Sequence, residues 1–176
     1  MTAFPRFYPI LDVTTLHRRG LSLPEAAAAM IDGGARILQL RLKENPSQRH
    51  LDDADSVSEL CRRHGVIWIV NDRADIALLT SAGLHIGQDD MPAATARGLL
   101  GETAILGLST HNPAQLRAAT LEPVDYLAIG GITRDNAESV LDAGADSVAI
   151  IADLYPDPCD PSLLRQRVRD WTRITG

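Results

Sequence analysis

Ile37-Leu38-Gln39-Leu40-Arg41-Leu42-Lys43 is an apolar run that turns polar on one face only. With the two-residue period of a strand, Leu38, Leu40 and Leu42 lie on one side and Gln39, Arg41 and Lys43 on the other. A parallel strand in an α/β protein is normally apolar on both faces, because helices cover one and a packed core the other. An edge strand with a wet face is one account of the three polar side chains. The other is a strand whose inward face reaches the mouth of a barrel, where an amide, a guanidinium and an ammonium meet an anionic, hydrogen-bonding ligand.

On either side of this run, short apolar segments alternate with capped amphipathic ones. A strand over residues 7–11 ends at Asp12, and Ser22 with Glu25 three residues later forms a capping-box signal that opens a helix, with Pro24 in its first turn. Gly33-Gly34 stops that helix. A second helix over 47–64 ends at Gly65, and the strand at 66–70 leads into Asn71-Asp72-Arg73. After a helix at 74–81, a strand at 83–87 precedes Gln88-Asp89-Asp90, and Pro92 opens the next helix. Residues 105–108 lead into Ser109-Thr110-His111, with Asn112 as N-cap and Pro113 at the first helical position. A sixth strand at 125–129 meets Gly130-Gly131. Asp135-Asn136 is read as the cap of a helix ending at Gly144, 147–151 is the last strand, and Asp160-Pro161 opens a final helix to about 173.

This alternation with short links predicts a parallel sheet with right-handed crossovers. An open sheet would gather its polar residues at one switch point. Here they follow many successive strands, as when all βα loops converge on one barrel mouth. The expected fold is α/β, a TIM-barrel-like (βα) barrel in a single domain over 1–176, with seven strand signals instead of eight.

Length and composition, 176 residues with 45% hydrophobic and 23% charged, describe one ordinary globular domain and exclude disorder and fibres. A net charge of −6 argues against a general nucleic-acid or anionic-membrane surface, so cations such as Arg41 and Lys43 are local and purposeful. Cys61 and Cys159 have neither CxxC nor His spacing, which fits a reducing cytoplasm better than a zinc site or disulfide framework. No leader pattern or membrane-length apolar run is present, so a cytoplasmic location is expected. Whether the chain forms a homo-oligomer is left open.

Gln39-Leu-Arg41-Leu-Lys43, Val70-Asn71-Asp72-Arg73, Leu84-His85-Ile86-Gly87-Gln88-Asp89-Asp90, Gly107-Leu108-Ser109-Thr110-His111 and Gly130-Gly131-Ile132-Thr133, in this order at strand ends, resemble thiamine phosphate synthase. Each motif alone is weak, but five in order across nearly the whole chain are specific. The resemblance implies a (βα)8 barrel and a transferase that joins an aminopyrimidine methyl pyrophosphate to a thiazole phosphate, releasing pyrophosphate with Mg2+. It implies that Gln39 contacts the pyrimidine, that Arg41, Lys43 and Asn71 bind the pyrophosphate, and that Asp72 and Asp90 hold the metal. Ser109 would be the catalytic hydroxyl beside the leaving group, and Gly131 a backbone phosphate contact.

The chemistry asks for these residue types independently. Displacing pyrophosphate from a benzylic-type carbon builds charge on the leaving group, which Arg, Lys and a divalent cation stabilise. Two carboxylates converging in one mouth repel unless a cation lies between them, and hard oxygen ligands suit Mg2+. Other accounts stand beside these: Asp90 as a cap for the Pro92 helix, Asp72 paired with Arg73, Ser109 as a turn residue, His85 as a core or supporting histidine, and His111 in a surface loop.

The sequence departs from the family chiefly at one place. Ala128-Ile129-Gly130 reads both as the end of the sixth strand and as the lead into Gly131-Ile132-Thr133, as though a βα unit of about 30 residues between two Ala-Ile-Gly repeats were absent, taking a phosphate-binding lysine and threonines with it. Ala152 also stands where the family usually has serine. The expectation is a gap beside strand six or a strained seven-strand closure, with the pyrimidine half-site complete and the thiazole half-site reduced. A thiazole tautomerase and a non-catalytic binder of a pyrimidine or thiazole phosphate are the alternatives.

Overall fold

The computed structural model describes residues 4–129 and 131–176. Gly130, half of the Gly130-Gly131 pair, lies outside the described residues. Among those described there are seven strands: β1 (Phe7–Asp12), β2 (Ile37–Arg41), β3 (Ile67–Asn71), β4 (Gly83–Ile86), β5 (Leu106–Thr110), β6 (Tyr126–Ile129) and β7 (Val148–Ile150). All pair in parallel, in the order β6-β5-β4-β3-β2-β1-β7. β6 and β7 approach each other but share no ladder, so the sheet curls into a nearly closed barrel with one seam. The seam lies where the sequence places the missing unit. Both edge strands there are short, which limits the unpaired backbone that the seam exposes.

Among the described residues eight α-helices cover the outside: α1 (Val13–Arg18), α2 (Leu23–Asp32), α3 (Gln48–His64), α4 (Ala74–Leu79), α5 (Ala93–Leu100), α6 (Pro113–Ala119), α7 (Arg134–Asp142) and α8 (Pro161–Thr175). Their ends follow local chemistry. Ser22 and Glu25 close the capping box of α2, and Gly65 ends α3 in the left-handed conformation, with φ 64°. α1 is absent from the sequence reading. It forms because the Asp12 carboxylate accepts the Thr15 N–H at 2.9 Å and the Thr15 hydroxyl at 2.6 Å, closing a turn directly after β1. The cap of α7 is also corrected. Thr133 is the N-cap and Asn136 reaches back to accept its N–H at 2.7 Å, so Asp135 lies inside the first turn.

Strand alternation sorts side chains into two cores. Leu38, Leu40 and Leu42 of β2 and its following loop join Trp68, Leu84 and Leu108 between sheet and helices. Tyr8, Ile37 and Ile69 fill the barrel interior with Ile67, Ile105 and Tyr126. α8 shields the β1 side of the sheet: Trp171 is fully buried and stacks on Phe7 at 6.0 Å, while Val168 sits where a Cβ on Gly33 would come within 2.7 Å of it. Truncating such an aromatic costs about 3–5 kcal/mol. No helix among the described residues is long and apolar enough to cross a membrane.

Candidate active site

The inward positions toward the strands' C-terminal ends are polar on β1 to β5. The parallel register sets Asp12 of β1 opposite Arg41 of β2 and Asn71 of β3 opposite His85 of β4. A cavity of about 400 Å3 opens there, lined by Gln39, Arg41, Asn71, His85, Ser109 and Gly131, with Ala128, Ala149 and Ala152 beside the seam. Five of the site residues expected from the sequence, Gln39, Arg41, Asn71, Ser109 and Gly131, thus share one cavity, drawn from three strands and the loop after β6.

Arg41 is held by a residue the sequence reading did not single out. The Asp12 carboxylate accepts its Nη1 at 2.5 Å, and Asp12 itself is buried. Burial raises the Asp12 carboxyl, but the Thr15 and Arg41 hydrogen bonds outweigh it and leave the group below its ordinary value. The arrangement fixes one end of the guanidinium and leaves its remaining N–H groups for an anion.

Lys43, Asp72 and Asp90 form a second cluster. Lys43 Nζ donates to Asp72 Oδ2, and the Asp90 carboxyl lies near enough to Asp72 for the two to influence each other's titration. Arg73 pairs instead with Asp75, which removes the Asp72–Arg73 account. Asp90 does not cap α5, whose N-cap Pro92 carries no side-chain bond; its Oδ2 accepts the Gly87 N–H at 2.7 Å. Burial, with the neighbouring Asp90 carboxyl, raises the Asp72 carboxyl against the pull of Lys43. Asp90 is also pushed up by burial but ends below its ordinary value, because the neighbouring Asp72 and the Gly87 N–H both lower it. Asp72 has φ 63°, a left-handed conformation uncommon for residues other than glycine, though Asp tolerates it better than most. Two neighbouring carboxylates, Asp72 partly buried and Asp90 exposed, with an ammonium as their present counter-charge, are a donor set that fits a hard divalent cation. On the outer rim, His17, Glu44 and His50 also bring ligand atoms within 4.8 Å of one another, but His50 Nδ1 is engaged by the Ser47 N–H at 3.1 Å.

Deeper in the barrel the polar groups bond only to each other. Gln39 Nε2 donates to the Tyr8 hydroxyl at 2.8 Å, Tyr8 meets Tyr126 at 2.8 Å, Tyr126 meets His85 Nδ1 at 2.9 Å, and His85 Nε2 meets Ser109 Oγ at 2.7 Å. Gly107 makes room for this chain, because a Cβ there would fall 2.1 Å from the Tyr126 ring. Burial lowers His85 to about 4, so its imidazole is neutral near pH 7. Both ring nitrogens of His85 are engaged, one by Tyr126 and one by the Ser109 hydroxyl. Tyr8 and Tyr126 escaped the sequence reading although they occupy inward strand positions. On the far side, Gly131 has φ 85° and its carbonyl accepts Asn136 Nδ2 at 3.0 Å, leaving its N–H as the group able to meet a phosphate.

Residues 7–128 match a family model described as thiamine monophosphate synthase. The chain belongs to that family. Several of its relatives carry the name thiamine-phosphate synthase. That of Koribacter versatilis is 35% identical, covering 97% of this chain and 95% of the relative, and that of Acidothermus cellulolyticus is 36% identical, covering 85% and 89%. The thiamine-phosphate synthase of Pelotomaculum thermopropionicum is 46% identical over 114 residues, a match that spans 64% of this chain and 52% of the relative. Among solved structures, the thiamine phosphate pyrophosphorylase of Pyrococcus furiosus superposes with a TM-score of 0.80 at 23% identity, covering 98% of each chain, a likeness of fold. The long alignments also size the departure. The Koribacter alignment runs over 208 positions, whereas 97% of 176 residues is about 171, so about 37 positions of the relative have no counterpart here. The Pelotomaculum alignment, 114 positions against about 113 residues, needs no such gap. About 37 residues is one βα unit.

Proposed function

We propose that this chain binds an aminopyrimidine methyl pyrophosphate with Mg2+ as thiamine phosphate synthases do, and that it joins the pyrimidine to a thiazole phosphate only very slowly. The observation that carries the reading is the convergence of Gln39, Arg41, Asn71 and Ser109 on one cavity, with Lys43, Asp72 and Asp90 clustered in the loops that follow β2, β3 and β4. Gln39 offers its free amide oxygen to the amino group of the ring. Arg41, steadied by Asp12, and Lys43 carry the cationic charge that meets the pyrophosphate, and Asn71 and Ser109 supply neutral hydrogen bonds. Asp72 and Asp90 would hold Mg2+, which when bound neutralises charge on the leaving group. Lys43 leaves Asp72 for the pyrophosphate as this happens, so its ammonium is present in both states with a different partner. Retention of this pyrophosphate and metal set favours the synthase over a thiazole tautomerase.

The thiazole phosphate side retains the Gly131 N–H and lacks a loop cation. Joining two substrates depends on near-attack geometry, and positioning of this kind is worth effective molarities of about 10⁵ M or more. Binding of the pyrimidine substrate therefore outlasts turnover. The missing positions beside the seam favour, as a second reading, a protein that holds the pyrimidine pyrophosphate without turning it over. Calorimetric titration with inorganic pyrophosphate tests the metal assignment: binding is expected to strengthen when Mg2+ is added, and Asp72→Ala or Asp90→Ala is expected to abolish that gain. A Mg2+ response that survives in the double variant removes these carboxylates from the metal site.

A further inference from the structure

We infer that Tyr8, Tyr126 and His85 form a directional hydrogen-bond relay that joins the ring-recognising amide of Gln39 to the hydroxyl of Ser109, turning the Ser109 proton toward the cavity. The three are positioning residues, since their polar atoms bond within the chain while Gln39 and Ser109 at its ends each keep a polar atom for the ligand. The inference rests on the proposed binding of an aminopyrimidine pyrophosphate for its consequence, though not for its geometry.

Four consecutive contacts of 2.7–2.9 Å link the five side chains. Tyr8 and His85 are at most 5% exposed, so water has little access to their polar atoms. Each hydroxyl has one proton to give, an amide NH2 only donates, and a neutral imidazole donates from one nitrogen and accepts at the other. These capacities make the proton order collective. Gln39 Nε2 donates to Tyr8, and the order that then leaves no buried hydroxyl proton without an acceptor runs from Tyr8 to Tyr126, from Tyr126 to His85 Nδ1 and from His85 Nε2–H to Ser109 Oγ. Ser109 is then an acceptor within the chain, and its own proton is free for the cavity. The opposite order uses the same contacts but spends the Ser109 proton on His85 and turns Gln39 NH2 to the cavity.

The ligand chemistry distinguishes the two orders. An exocyclic amine needs an acceptor, which Gln39 Oε1 supplies only in the first order. A pyrophosphate oxygen needs a donor, which Ser109 supplies only in the same order. Each end therefore reinforces the other, through bonds that polarise one another in a low-dielectric interior. Gly107 and Tyr126 show that the fold makes space for the relay: the ring occupies the volume that any side chain at 107 would fill.

Nitrogen-15 NMR of the His85 ring in the otherwise unmodified protein is the primary test. The expected result is the tautomer with a proton on Nε2 and an unprotonated Nδ1, becoming more fully populated when the pyrimidine pyrophosphate binds. A proton on Nδ1 in the bound state overturns the inference whatever the affinity. The second test is a binding cycle with Gln39→Ala and Ser109→Ala, separately and together, in the wild type and in Tyr126→Phe. The two substitutions should couple by about fivefold in dissociation constant in the wild type and become independent in Tyr126→Phe. A merely structural Tyr126 would weaken all four proteins alike and leave the coupling intact, which refutes the relay. If the pyrimidine pyrophosphate fails to bind at all, the proposed function falls while the tautomer of the free protein still decides the relay.

Discussion

Replacing Asp12 tests how the site is built, because one carboxylate both caps α1 and anchors Arg41. In Asp12→Ala the α1 cap is lost, at a cost of about 1 kcal/mol. Arg41 is left without its partner. Breaking a fully buried pair costs about 3–5 kcal/mol, but the Arg41 side chain is 35% exposed against 6% for Asp12, so water recovers part of this and about 1–2 kcal/mol remains. The sum, about 2–3 kcal/mol, corresponds to a drop in Tm of roughly 4–12 °C for a domain of this length. Asp12→Asn keeps a cap acceptor and loses the charge, so it falls between the two proteins. Because Asp12 titrates below its ordinary value, its contribution is present above that value and disappears as pH falls through the lower, folded one. The acid side of the stability curve is therefore shallower in Asp12→Asn. Urea unfolding across pH, with pyrophosphate calorimetry on the same proteins, reads both roles, and pyrophosphate affinity should fall about tenfold as Arg41 loses its orientation. Stability of Asp12→Ala within about 0.5 kcal/mol of wild type, with unchanged affinity, would refute this account of Arg41.

Two further outcomes follow from the interior. Gly107→Ala drives a methyl group into the Tyr126 ring and is expected to cost about 1–3 kcal/mol in chemical denaturation, whereas an exposed alanine substitution would cost almost nothing. His85, pushed by burial from 6.5 to about 4, binds its proton more readily in the unfolded chain. Stability should then decline as pH falls from about 6.5 to about 4, by roughly 3 kcal/mol in all, and His85→Asn should flatten that limb of the curve.

The fold was legible because strand and helix signals repeat with little ambiguity: apolar runs of strand length, Ser22 and Glu25, Gly65, and Asn112 before Pro113. The missing unit was legible from the doubled use of Ala128-Ile129-Gly130, and the unladdered neighbours β6 and β7 now show where it falls. The charged end of the site was legible because Gln39, Arg41 and Lys43 break the apolar rule of a parallel strand. Asp12 was not, since a carboxylate after a strand is equally a turn or cap residue; only the β1–β2 register sets it beside Arg41. Tyr8 and Tyr126 were hidden for a related reason. An inward aromatic reads as core, and its hydroxyl acquires meaning only through partners 31 to 118 residues away in sequence. The cap of α7 was misread because Thr133, Asp135 and Asn136 all carry capping side chains, and backbone geometry chooses among them.

The central claim is that the pyrimidine pyrophosphate half-site is built while the second half-site has lost a βα unit. Calorimetry with the pyrimidine pyrophosphate and Mg2+, followed by steady-state kinetics with the thiazole phosphate on the same preparation, tests it most directly. The account predicts measurable Mg2+-dependent binding with turnover several orders of magnitude below that of ordinary enzymes. A turnover rate of about 1 s⁻¹ or faster would contradict it.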